Sequence, residues 1–242
     1  MTRGLHFARI ICNIVVGLIV IAGLITPAVS QQPYVSRYDA FIGYSYFDSP
    51  KISLAEHGFH FQIGMRPRTW YSLGFDYSQV KGDLMLTPEL LPDATRQALT
   101  ATLQGLAAAG QLPAGYTLAV KANSRTHTFA AGPQLAYRRW KSVTPFLRPS
   151  LGAIYEVADP APADPIAKAI VARLSPEGRK TDWQGFYGVG GGIDLNASRH
   201  VVLRFQADWV YDHLFDDILK DGRGTVRFSV GPAFNFGRNI KE

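Results

Sequence analysis

The sequence is poor in cysteine, in charge and in long apolar runs. Its single cysteine, Cys12, lies within an N-terminal apolar stretch. Arg3 and Arg9 give that stretch a basic flank, Ile10 to Ile25 is uncharged, and Thr26-Pro27 interrupts it. Ala28-Val29-Ser30 then places small residues where a signal peptidase cuts. The run falls short of the roughly 20 residues a spanning helix needs, so residues 1–30 are expected to be a cleavable signal peptide rather than an anchor. Cleavage would remove Cys12. That excludes a disulfide, a Cys-ligated zinc site and a cysteine nucleophile from the mature chain.

Beyond the signal no apolar run is long enough for a membrane helix. Charged residues make up 18% of the chain, below the roughly 25% of an average soluble domain. The net charge of +6 is diffuse, with no Lys/Arg cluster interleaved with aromatics, so nucleic acid is not an expected partner. The length remaining suits one domain and is tight for two.

What is present is a period of two. In Gly224–Phe236, Val226, Phe228, Val230, Pro232, Phe234 and Phe236 alternate with Arg227, Ser229, Gly231, Ala233 and Asn235. That pattern marks a strand whose faces meet different media. Seven similar segments precede it, at about Tyr38–Phe47, Phe59–Arg66, Tyr71–Ser78, Ser124–Tyr137, Leu147–Tyr155, Trp183–Leu195 and Val201–Tyr211. In the first, Phe41 and Phe47 blur an otherwise polar side. The links after segments two, four and six are a few residues each. Those after one, three, five and seven are longer, at about 48–56, 82–122, 157–182 and 213–223. Long loops at one end and tight turns at the other are the pattern of an up-and-down outer-membrane barrel, whose turns and chain ends face the periplasm.

A soluble, lipocalin-like barrel would also alternate, with its apolar face inward around a ligand. The polar face here argues for the inverse arrangement. It carries Gly43, Gly64, Gly74, Gly132, Gly152, Gly188, Gly190, Gly192 and Gly231, small residues suited to a narrow interior. Among them stand Asp76, Arg148, Asp194, Arg204, Asp208 and Arg227, which are expected to pair and fill the lumen. The apolar face bears Tyr38, Tyr46, Tyr71, Tyr77, Tyr155, Trp209 and Tyr211 near strand ends, as an interfacial girdle does. The expected fold is therefore all-β: an eight-stranded antiparallel up-and-down transmembrane barrel over residues 37–237. A lead-in (31–36) precedes it and a periplasmic tail (238–242) follows it.

Tyr38-Asp-Ala-Phe-Ile-Gly-Tyr-Ser-Tyr46, Ala131-Gly-Pro-Gln134, Thr144-Pro-Phe146, Gly190-Gly-Gly-Ile-Asp194 and the aromatic closing strand together resemble the small OmpA-like outer-membrane barrels of Gram-negative bacteria. The resemblance implies residence among outer-membrane lipids, reached by signal peptide and periplasm. It also implies insertion by barrel-assembly machinery that reads the last strand, here Phe228, Phe234 and Phe236. No peptidoglycan-binding domain follows the barrel, so cell-wall anchoring is not carried over. The chain continues past Phe236, which would make the assembly signal internal.

Two long loops contain helical stretches. Asp93 is expected to cap a helix to about Ala109 with Leu99, Leu103 and Leu106 in line, and Asp164-Pro165 to open Ile166–Leu174. These stripes either pack on each other and the rim, or form a lid or a partner surface on loops 82–122 and 157–182. No catalytic, cofactor or metal site emerges. His57 and His60 point to opposite faces, and Gly188–Gly192 lies inside a strand without the spacing of a dinucleotide loop. The expected function is a non-enzymatic outer-membrane protein, structural or surface-interacting, with a packed lumen. The alternatives are a lipid-modifying outer-membrane hydrolase, with His60, His127 and Ser150 as residues to test, or a narrow channel.

Overall fold

The structure, a computed structural model, describes Gln32 and residues 34–217 and 219–240. The expected signal peptide and the last two residues of the expected tail lie outside the described residues. Eight antiparallel strands close into one barrel in sequence order: β1 (Ser36–Ser49), β2 (Leu54–Met65), β3 (Tyr71–Leu86), β4 (Val120–Ala136), β5 (Val143–Ala161), β6 (Lys180–Asn196), β7 (Val201–Asp212) and β8 (Arg223–Asn239). Closure is by β1 on β8, with Tyr44 opposite Val230 and Tyr38 opposite Phe236.

The strands are longer than the alternation suggested. β4 and β5 run 17 and 19 residues, against the roughly 9–11 that cross a bilayer. Pairing continues past the apolar belt, so that Lys121 lies opposite Ala161 and Ala55 opposite Asp83. The connections on that side shrink accordingly. The first is a single 3-10 turn, Pro50–Ile52, with Ser53 in the left-handed region. At the chain ends β1 begins at Ser36 and β8 runs to Asn239, where the Val35 amide donates to the Asn239 side chain at 2.9 Å.

Register decides which medium each side chain meets. A belt of apolar side chains faces outward: Leu151 is 70% exposed, Ile42 and Leu147 52%, and Phe61, Phe75, Val189, Phe205, Phe234 and Phe236 are also exposed. A continuous apolar band around a closed barrel is far larger than the patches soluble monomers leave uncovered. Aromatic rings border it toward the long loops, where Tyr77 meets Phe129 at 5.0 Å, Phe129 stacks on Trp183 at 5.8 Å and Trp209 on Tyr211 at 6.0 Å. A second border lies toward the short turns, where Tyr38 stacks on Phe236 at 5.7 Å. No described helix is long and apolar enough to span a membrane.

The long loops fold back as a cap. Helix α1 (Asp93–Ala108) and helix α2 (Pro165–Leu174) pack around a buried cluster of Leu91, Leu99, Leu118, Val120 and Ala167, with Leu103, Ile170 and Val171 against it. The stripes thus face each other and the rim. Asp93 does not cap α1: Pro92 holds the N-cap position, and Asp93, in the first turn, bonds Arg96 at 2.7 Å. Asp164 does cap α2, accepting from the Ala167 amide at 2.8 Å, and also takes the Tyr116 hydroxyl at 3.0 Å. It therefore ties two loops together. Asp164→Ala is expected to loosen the cap by about 1–2 kcal/mol. Faster limited proteolysis within 87–119 and 162–179, with strand amide exchange unchanged, would register that.

Candidate functional site in the barrel lumen

The inward positions build a polar column in three layers, and the strand register sets their order. Across β6/β7, Asp194 lies directly opposite Arg204; across β7/β8, Asp208 lies opposite Arg227 and Asp212 opposite Arg223. Each acid–arginine pair is thus fixed by backbone pairing before any side chain adjusts.

In the layer nearest the short turns, Arg204 donates to Asp194 from Nε at 2.7 Å and from Nη2 at 2.9 Å, and to Gln62 at 3.0 Å. Asp39 sits between Arg204 at 3.4 Å and Arg66 at 3.2 Å. In the middle layer, Asp76 takes Arg148 and, at 3.4 Å, Arg227. Arg227 also donates to Asp208 at 2.9 Å. In the layer nearest the long loops, Arg223 grips Asp212 at 3.0 Å and Glu156, with Glu56 held by Ser124 beside them. Above that an apolar stopper of Ile52, Leu54, Leu84, Leu214 and Phe215 fills the mouth. Between it and the helical cap lies an apolar cavity of about 70 Å³, lined in part by Leu86, Leu99, Val120 and Ile170.

All six charges singled out from the sequence, Asp76, Arg148, Asp194, Arg204, Asp208 and Arg227, lie in this column, none more than 4% exposed. Sequence reasoning missed Asp39, Glu56, Arg66, Glu156, Asp212 and Arg223, all buried as well. It also missed the aromatic share of the lumen. Phe41 and Phe47 are fully buried and point inward rather than blurring a polar face. The Arg204 guanidinium lies over the rings of Phe41 at 5.7 Å and Phe146 at 4.9 Å, and Arg227 lies over Phe47 at 6.0 Å. Such contacts strengthen when desolvated, as here. The terminal-strand residues Phe234 and Phe236 are exposed outward, and Phe228 is half-buried opposite Tyr46.

The histidines separate by face. His57 sits outside against Tyr44 and Tyr46, and His127, half-buried, bonds the Tyr77 hydroxyl at 2.9 Å. His60 is buried in the lumen with Nδ1 3.0 Å from Ser229 Oγ and Nε2 3.7 Å from Asp76. That is a serine–histidine–acid order in space, assembled from β8, β2 and β3. Two features oppose its use as a catalytic set. The His60–Asp76 separation exceeds a hydrogen bond, and Asp76 is already neutralised by two guanidiniums. Ser150 is half-buried. Among the described residues no group of three or more His, Cys, Asp or Glu side chains is placed to hold a metal ion.

No protein-family model matches the chain, and no curated protein matches its sequence. Solved structures do match. Neisserial surface protein A aligns at 12% identity over 82% of this chain and 96% of that chain, with a TM-score of 0.51. Ail of Yersinia pestis aligns at 15% identity over 84% and 99%, with a TM-score of 0.47. The outer membrane protein OprG of Pseudomonas aeruginosa aligns at 9% over 86% and 99%, with a TM-score of 0.48. At such identities what is shared with the first is the fold. The chain is a closed eight-stranded up-and-down β-barrel, the fold it shares with Neisserial surface protein A.

Proposed function

We propose that this protein is a non-enzymatic barrel of the Gram-negative outer membrane, with a sealed lumen and a capped outer surface formed by its long loops. The observation that carries the reading is the stacking of Arg204, Arg148, Arg227 and Arg223 across the lumen, each 3% exposed or less and each ion-paired. Eight strands leave an interior that side chains fill, and these fill it with interlocked charge. Buried pairs of this kind do little for net stability relative to an apolar filling but favour one arrangement of the strands. The apolar belt and its aromatic borders support placement in a bilayer, and the outward Phe234 and Phe236 support recognition of β8 during assembly.

Planar-bilayer recording tests the sealed lumen. The purified barrel, verified as folded by heat-modifiable gel mobility, is expected to add no steady conductance to the bare bilayer. Reproducible open levels would replace this reading with the narrow channel.

The hydrolase reading keeps one observation in its favour, the Ser229–His60–Asp76 order. It predicts lipid deacylation by the folded protein that Ser229→Ala abolishes. The sealed-lumen reading predicts no deacylation by either protein.

A further inference from the structure

The end of the barrel at the short turns carries a charge asymmetry that the lumen pairs do not absorb. Its turns contribute Arg68, Arg138, Arg139, Lys141 and Arg199, and the chain ends add Arg37 and Arg238. Residues 34–38, 66–70, 137–142, 196–200 and 235–240 contain no acidic side chain. The long-loop end, by contrast, mixes both signs, as in Lys220 with Asp93 and Arg179 with Asp159.

Within this basic rim lies a polar cavity of about 220 Å³. Its lining includes Arg66, Arg138, Lys141, Arg199, Ser36 and Asn235, and no carboxylate among the described residues. One water occupies roughly 30 Å³ of liquid, so the space admits a polyatomic ion with waters. Two of its walls are unfinished. Arg66 and Ser36 are both 2% exposed, yet Arg66 Nε and Ser36 Oγ have no hydrogen-bond partner. Buried polar atoms are rarely left so. The rest of the Arg66 guanidinium is held rigidly, by Asp39 at 3.2 Å, the Ser36 carbonyl at 3.0 Å and Asn235 Oδ1 at 3.1 Å. Arg138 is fixed by the Thr69 carbonyl at 2.8 Å and Gln32 Oε1 at 3.0 Å, both neutral acceptors. Burial, with the Arg66 guanidinium nearby, pushes Arg138 down to about 10, against the opposing pull of Asp194 and Asp39. It remains charged at neutral pH.

We propose that this cavity is an oxyanion site for a phosphate group, presented by an anionic phospholipid headgroup of the inner leaflet or as free phosphate. Guanidiniums suit this role because their forked donors match the spacing of phosphate oxygens. The lipid source rests on the outer-membrane orientation proposed above; binding of the anion itself does not.

The test uses the folded full-length barrel in neutral detergent. Calorimetric titration with inorganic phosphate is expected to show saturable binding. The Lys141→Gln/Arg199→Gln double variant should weaken it at least tenfold. Arg68→Gln/Arg139→Gln, which removes the same charge from the rim outside the cavity, should change it less than twofold. Equal weakening by both pairs, or no saturable binding by the parent, would overturn the proposal. Native mass spectrometry from mixed micelles separates the sources. Retention of phosphatidylglycerol over phosphatidylcholine, lost in Lys141→Gln/Arg199→Gln, identifies the headgroup; phosphate binding without lipid retention identifies the free ion. Orientation is read separately, by labelling Ser142→Cys in intact cells. Labelling without permeabilising the outer membrane would sink the orientation and leave the anion result standing.

Discussion

Arg223→Met is expected to destabilise the barrel more than the loss of any other lumen cation, by about 3–5 kcal/mol, the range for breaking a buried ion pair from one side. Arg223 is 2% exposed and serves Asp212 at 3.0 Å and 3.2 Å while also gripping Glu156. Glu56 is close enough to repel Glu156. Removing the guanidinium leaves Asp212 and Glu156 buried in one layer without a cation, with Glu56 beside them. Asp212 keeps only the Leu214 amide at 3.0 Å, and Glu56 keeps the Ser124 hydroxyl. Arg227→Met is the informative comparison, because its partners are not abandoned. Asp76 retains Arg148, and Asp208 retains Gln206 at 2.9 Å. Urea unfolding of the refolded protein in detergent should rank Arg223→Met well below Arg227→Met. Adding Asp212→Asn and Glu156→Gln to Arg223→Met should restore much of the loss, since the damage is unpaired charge rather than a missing contact. Equal losses at Arg223 and Arg227, or no recovery in the triple variant, would defeat the layered-charge account.

Arg223 stands where the sequence loses its contrast. Alternation of apolar and polar residues is written by the bilayer, so it stops where the bilayer stops. Glu56, Glu156, Asp212 and Arg223 lie at or beyond that height, on strand ends that read as loop margins. The inward period of two nevertheless continues there, through Ser124 and Thr126 on β4, but opposite Lys121, Asn123 and Arg125 it has no contrast. Strand number, connection order and the identity of the lipid face were legible because each rests on contrast repeated eight times. Phe41 and Phe47 sat on the inward parity all along. A large ring looked out of place among glycines only because the guanidinium stacked on it comes from a strand far away in sequence. The faint signal was the glycines themselves. Gly43 leaves room for Phe41, and Gly152 for Phe186: a Cβ at either would come within 2.6 Å or 2.7 Å of the ring. The cavity at the short turns was invisible for a different cause. Its cations, Arg66, Arg138, Lys141 and Arg199, come from the three turns that follow β2, β4 and β6, and only barrel closure brings them together.

Gly192→Val should cost about 3 kcal/mol, at the upper end of the usual penalty for overpacking. A Cβ at Gly192 would lie 2.1 Å from the Phe205 carbonyl oxygen and 2.7 Å from Phe146 Cζ. Phe146 lies opposite Gly192 in the β5/β6 register, and its ring carries the Arg204 guanidinium at 4.9 Å. The substitution therefore displaces a ring and, through it, the cation that serves both Asp194 and Asp39. The backbone contact with Phe205 is a second, independent obstacle. These two causes make different predictions for Phe146→Ala in the Gly192→Val background. If the ring were the whole obstacle, the double variant would be more stable than Gly192→Val alone. With the Phe205 carbonyl still at 2.1 Å, and with the stacking partner of Arg204 gone, relief is expected to be at most partial. Gly185 on the same strand supplies the control. It is exposed, and a Cβ there meets nothing nearer than the Gly152 carbonyl at 4.0 Å. Gly185→Ala should leave heat-modifiable mobility and the urea midpoint where they are. A comparable loss at Gly185 would mean that β6 needs flexible backbone along its whole length, and that the ring under Arg204 is incidental to why position 192 is glycine.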